Sequence, residues 1–252
     1  LDAHRIFLLP LFDEDSQLSA QEQKDLLDLW EIFTLRWVLT GGNAQIYENF
    51  AQSRGRTLLL QNSSSSAKIR EISDEIIALL PNDELVKSRL LEPISSRSLI
   101  RYLYYRINDE LTHRQDTIRF DSKNLHVEHI APETATDYWH KCVGTNLLEE
   151  PEKNSRYSEY VNLIGNLSLL EFKLNSSIKN EDFEVKKTGV EDPNYQGYSD
   201  SSIKVTSDLL TLNEWNIEKI RLRNNWFIES FLQIWSPNAS PNVESFSDWT
   251  SN

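Results

Sequence analysis

The chain has 252 residues, 39% of them hydrophobic and 10% aromatic, with seven Trp. That is enough to pack a core in one large or two modest domains, and too apolar for a disordered segment. The net charge of −13 excludes a basic nucleic-acid-binding module of the usual kind. No apolar run approaches the roughly 20 residues that span a bilayer.

The acidity is uneven. Residues 1–120 hold 14 Lys+Arg against 18 Asp+Glu, and residues 121–252 hold 12 against 21. Acidity does not rule out nucleic acid, because a local basic groove and a bound cation can carry the phosphate contacts. It predicts weak nonspecific binding. The single cysteine, Cys142, has no partner for an internal disulfide or a cysteine-based zinc site. A reducing, cytoplasmic location is the simple expectation. The chain begins at Leu1 and contains no Met, so a piece of a longer protein is expected.

The first part of the chain reads as helical. Ser19 is placed as an N-cap with Glu22 as its capping-box partner, and Leu26, Trp30, Phe33 and Trp37 follow at helical spacing. Gly41-Gly42 ends that helix. Ile46 to Ala51 is a short second helix, and the serine run in Gln61–Ala67 is a loop or cap region. Ile69, Ile72, Ile76 and Leu79 mark another helix that stops before Pro81. Ser98 opens a strong one with Leu99, Leu103, Tyr104 and Ile107 on its apolar face.

The pattern changes near residue 115. Thr117–Phe120 and Leu125–Ile130 alternate as short strands, and Leu167–Leu170 is a further strand candidate. The stretch from Ala131 to Tyr160 is long and mixed, with Trp139 and Tyr157 as anchors. Residues 172–188 return to a polar helical pattern, and Pro193–Ser202 is a loop. Asn213 opens a last helix anchored by Trp215, Ile217, Ile220, Trp226, Phe227 and Phe231, and Pro237 stops it. The expected fold class is α+β, mostly α. The expected divisions are a helical region at 1–115, an α+β domain at 116–235 and a polar tail at 236–252, where Phe246 and Trp249 are candidates for docking.

Three pieces carry the chemistry. Val127-Glu128-His129-Ile130-Ala131-Pro132 sets a carboxylate directly before a histidine at a strand end. Ile164-Gly165-Asn166-Leu167-Ser168-Leu169-Leu170 is the second piece. Asn175, nine residues after Asn166, is the third, with Lys179 four further on. A glutamate–histidine pair alone is a weak signal; the ordered set with its spacing is far more specific. It resembles the HNH nuclease motif. The finer pattern, with Trp139, Asn180, Phe183, Lys186, Ser201, Thr206, Trp215, Ile220 and Arg223, is similar to the DUF1524 domain of GmrSD-type restriction proteins over about residues 98–235. The preceding helices resemble the end of the DUF262 part of those proteins.

The resemblance implies a small ββα-metal (HNH) core following a helical bundle, and cleavage of DNA to 5′-phosphate and 3′-hydroxyl ends. It casts His129 as general base, suited by an unperturbed pKa near 6.5, and Asn166 as the residue that fixes the catalytic loop. Glu128 and Asn175 are the implied ligands of one divalent cation, Mg²⁺ with Mn²⁺ as the alternative, and Asn180 is a second-rank ligand or a helix cap. Lys179, Lys186 and Arg223 are candidates for phosphate contact or for plain helix surface. His126, His140 and Cys142 are read as structural. Implied partners are DNA and an N-terminal NTPase-type (DUF262) domain; no nucleotide-binding motif of that domain occurs here. Two other readings stay open: a catalytically weak module that docks an NTPase domain, and an RNA nuclease of the same fold.

Overall fold

The computed structural model describes residues 2–60, 63–113, 120, 123–189, 196–237 and 241–250. The chain forms two compact units. One is Leu1–Arg89 with Trp235–Ala239; the other is Leu90–Ile234 with Ser240–Asn252.

The first unit is helical: α1 (Asp2–Leu11), α2 (Ala20–Leu39), α3 (Ala44–Leu58), α4 (Ser65–Leu79) and most of α5 (Asp83–Leu90). Ser19 and Glu22 form the expected capping box at the start of α2. Gly41 takes up a positive φ of 71° just past its end. Asn43 and Ser64 cap α3 and α4 with their side-chain oxygens. Phe7, Trp30, Phe33, Tyr47 and Phe50 form an aromatic cluster that packs with Leu26, Ile72 and Ile76 into one core. The helix expected at Ile46–Ala51 is thus longer at both ends. It runs from the Asn43 cap to Leu58, with Tyr47, Phe50, Ala51, Gly55, Thr57 and Leu58 on its buried face.

The second unit holds α6 (Arg97–Leu111), β1 (Leu125–His129), α7 (Asp137–Cys142), α8 (Glu152–Val161), β2 (Leu167–Glu171), α9 (Phe172–Ile178), α10 (Phe183–Thr188), α11 (Lys204–Ser207), α12 (Ile217–Ile234) and α13 (Phe246–Trp249). Among the described residues the fold is mostly helical, with one small two-stranded sheet. The strands run antiparallel with Glu128 opposite Ser168 and His129 opposite Leu167. Helix α9 follows β2 without a break.

Several expectations change. The cap of α6 is Ser96 rather than Ser98, and the buried face uses Ile100 with Leu103, Tyr104 and Ile107. The stretch from Ala131 to Tyr160 contains α7 and all but the last residue of α8. Residues 172–188 form two helices, and Tyr198–Asp200 is a 3₁₀ turn inside the expected loop. Helix α12 starts at Ile217 behind Asn216, whose side chain accepts from the Lys219 amide. Asn213 therefore lies outside it, and Trp215 packs ahead of the helix. The strand expected at Thr117–Phe120 falls outside the described residues except for Phe120, which is in no strand. The segment after 240 is docked, not a free tail: Phe246 is buried against Trp226, and the Trp226 indole donates to the Glu244 carbonyl.

The Ile164–Asn166 turn leads into β2 and lies directly on α12. A Cβ on Gly165 would sit 2.2 Å from the Ile220 carbonyl oxygen and 2.5 Å from the Asn224 nitrogen. Only glycine permits that approach. The Asn224 side chain accepts from the Gly165 amide at 3.0 Å and fixes the contact.

Candidate functional site

The end of β1, the Pro132–Thr134 turn and α9 surround a pocket of about 250 Å³. Glu128, His129, Asn175, Lys179 and Asn180 line it together with Arg97, Val127, Pro132, Glu133 and Thr134. Pairing of β1 with β2 carries Glu128 and His129 to this end of the hairpin, and α9 supplies Asn175. Lys179 and Asn180 follow α9 at its exposed C-terminal end, where Lys179 has a positive φ of 41°.

His129 is mostly enclosed, with its side chain 11% exposed. Its Nε2 is 3.4 Å from Asn162 Oδ1 and 3.7 Å from Glu133 Oε1. Asn162 is itself held by its amide, which donates to the Ser158 carbonyl at 2.8 Å. The tautomer that suits these oxygen neighbours has the proton on Nε2 and the lone pair on Nδ1. Burial pushes the imidazole below its ordinary pKa, and the Glu133 carboxylate and Asn162 oppose that shift.

Glu128 is buried. Its Oε1 accepts from Lys186 Nζ at 2.7 Å and from the Tyr198 hydroxyl at 3.0 Å. The same ammonium donates to the His129 carbonyl oxygen at 2.9 Å. Burial pushes the carboxyl up, and the Lys186 charge and both hydrogen bonds pull against it. Lys186 thus ties the two motif residues together, one by its side chain and one by its backbone.

Asn166 lies under the loop and is fully enclosed. Its amide nitrogen donates to the carbonyls of Ala131 and Val161, each at 2.8 Å. Its Oδ1 accepts from the Ala131 amide and the Trp215 indole, each at 2.9 Å. Two donors and two lone pairs are all that this side chain has, and all four are used. Its backbone oxygen also takes the Ile130 amide at 2.9 Å. Asn166 therefore fixes the segment directly after His129 and stands away from the pocket.

Two of the candidate phosphate ligands are buried. Lys186 has no exposed surface and is committed to Glu128. Arg223 is likewise enclosed: it donates to the carbonyls of Gly165, Leu167 and Val205, to Ser168 and to the Tyr104 hydroxyl. It pins the start of β2 to α6 and α11. Neither reaches a ligand in this arrangement; Lys179, on the exposed rim, is free of that objection. His126 packs against Phe172, and His140 Nδ1 lies 2.8 Å from the Thr145 hydroxyl.

The sequence reading missed Arg97, Glu133, Asn162 and Tyr198. None lies at a motif spacing; each arrives through tertiary packing. Among the described residues no group of three or more His, Cys, Asp or Glu side chains is placed to hold a metal ion. A cation here would depend on the two lining carboxylates, Glu128 and Glu133, each already paired with a cationic side chain, and on amide oxygens and water. That donor chemistry suits a hard ion such as Mg²⁺, which keeps several waters and takes few protein ligands.

Residues 83–230 match the family model for the C-terminal domain of GmrSD restriction endonucleases. The chain belongs to that family. Its class of function is therefore that of restriction endonucleases, as the motif implied. Comparison with curated proteins gave no match. The GmrSD C-terminal match begins within α5 and covers every residue that lines the pocket. Much of the wider sequence pattern proves architectural in this chain: Trp139, Phe183, Thr206, Trp215, Ile220 and Arg223 are all buried. No helix among the described residues is long and apolar enough to cross a membrane.

Proposed function

We propose that this chain is a metal-dependent DNA endonuclease or nickase of the ββα-metal (HNH) type, the effector part of a modification-dependent anti-phage restriction system in the cytoplasm. The observation that carries the reading is the shared pocket of Glu128, His129 and Asn175 at the junction of the hairpin and α9. His129 is the general base: it takes a proton from water as the water oxygen attacks phosphorus and the bond to the 3′ oxygen breaks. The departing oxygen takes a proton from solvent. Glu128 and Asn175 would hold the divalent cation, with Asn180 in second rank. Such an ion, when bound, supplies Lewis-acid charge at the phosphate and the leaving oxygen. Asn166 and Lys186 position the loop and the carboxylate, and Lys179 is available to the DNA backbone. An N-terminal DUF262-type domain is the partner this reading expects.

The test is cleavage of supercoiled plasmid in Mg²⁺ or Mn²⁺ by the wild type, His129→Ala and Asn175→Ala. Both variants should lose nicking, by a factor on the order of 10² or more if base or metal is removed. Equal activity in all three would refute the assignment. An RNA transcript in parallel separates a DNA from an RNA nuclease.

The Lys186–Glu128 pair favours a second reading, a weakly catalytic interaction module, because it neutralises the pocket's buried carboxylate. A wild type that neither binds Mn²⁺ by calorimetry nor nicks plasmid would support that reading.

A further inference from the structure

The pocket holds a cation that lies outside the motif. Arg97 is the first residue of α6, directly after the Ser96 cap. A cation in the first turn meets the positive end of the helix dipole, so helix stability does not account for it. Its Nη2 donates to Glu133 Oε1 at 2.7 Å, and that same oxygen lies 3.7 Å from His129 Nε2. The two side chains are 54% and 56% exposed. A single anionic oxygen therefore stands between a guanidinium and the proposed base, at the pocket mouth. A phosphodiester oxygen is an anion of the same kind, and the guanidinium fork matches phosphate geometry. Lys186 and Arg223 are buried and spoken for, which leaves Arg97 and Lys179 as the pocket's cationic rim.

We infer that Arg97 grips a nucleic-acid phosphate at this pocket, and that Glu133 is an internal anion that holds Arg97 and screens His129 until the phosphate displaces it. The identity of the ligand rests on the nuclease reading above. The exchange is easy because an exposed ion pair contributes little. A phosphate that binds here must arrive with enough further contacts to replace Glu133 on Arg97.

Fluorescence anisotropy of a labelled DNA duplex, with the full chain in EDTA, tests this without hydrolysis. Glu133→Gln should bind about two- to fivefold more tightly than wild type, the range set by a released exposed ion pair. Arg97→Gln should bind more weakly and lower the slope of log K against log salt by about 0.9, the share of one phosphate contact. Arg97→Lys should keep that slope, and Arg97→Gln with Glu133→Gln should behave as Arg97→Gln alone. Glu133→Gln binding no tighter than wild type, Arg97→Gln unchanged in affinity and slope, or no binding by any of the proteins would each overturn the proposal. Plasmid nicking by wild type and His129→Ala on the same preparations keeps the two readings apart. The expected order of affinities with nicking indifferent to His129 would sink the nuclease assignment and leave the phosphate grip standing. A lost order with His129-dependent nicking would overturn the grip alone.

Discussion

Replacing Asn166 by Asp changes one amide nitrogen to oxygen with almost no change in volume, yet it strikes the centre of the second unit. The wild-type side chain donates to the Ala131 and Val161 carbonyls and accepts from the Ala131 amide and the Trp215 indole. Asp keeps the two acceptances and loses both donations, so two enclosed carbonyls face an oxygen instead of an N–H. Each buried polar group left unpaired costs about 1–3 kcal/mol, giving about 2–6 kcal/mol for the pair. Protonating the acid restores one donor at the cost of raising its pKa, so the loss stays in that range. Typical domain stabilities are only about 5–15 kcal/mol. With a urea slope of about 2 kcal/mol per M, the midpoint should fall by about 1–3 M. Hydrogen exchange of a peptide covering residues 125–131, followed through a urea titration, reads the second unit alone. An Asn166→Asp midpoint indistinguishable from wild type would refute the argument that this amide is saturated and structural.

Further outcomes follow from the same geometry. Lys186→Met leaves the Glu128 carboxylate buried without its cation and should cost about 3–5 kcal/mol in urea titration, part of it recovered by adding Glu128→Gln. Arg223→Lys loses the fork that serves several carbonyls and should lower stability by about 2–4 kcal/mol; the salt slope of DNA binding should stay as in wild type, because Arg223 is enclosed. Gly165→Ala forces a methyl group against the Ile220 carbonyl and should destabilise by about 1–3 kcal/mol or more, visible as a lower melting temperature.

The parts of the fold that could be read in the sequence are those with local causes. The Ser19 capping box and the end of α2 at Gly41 are short-range chemistry and appear as expected, and α4 keeps Ile72 and Ile76 of its expected stripe buried while Leu79 is exposed. Helices α7 and α8 were hidden because few of their residues are apolar: in α8 only Tyr157 and Val161 are buried, too sparse a stripe to show a period. At the site, the spacing of Glu128, His129 and Asn175 located the pocket, because the hairpin and α9 are adjacent in sequence. The partners of those residues were not legible. Tyr198 reaches Glu128 across 70 positions, and Arg97 meets Glu133 across 36. Charge alone misled at Lys186 and Arg223, since a cation's usual place is the surface and these two are held inside by carbonyls and one carboxylate.

Gly165 has a bearing on how small this catalytic module can be made. The turn it forms rests on the backbone of α12, which contributes none of the residues that line the pocket. Asn166, next in sequence, holds the loop behind His129 and leans on Trp215 just ahead of that helix. The foundation of the site therefore lies some 50 positions downstream of its floor. A transplant of residues 125–180 alone into another scaffold would carry every lining residue but Arg97 and still leave the histidine loop without its footing. A portable version has to extend through α12, and circular permutants that open the chain between β2 and α12 should keep the site where deletions of α12 lose it.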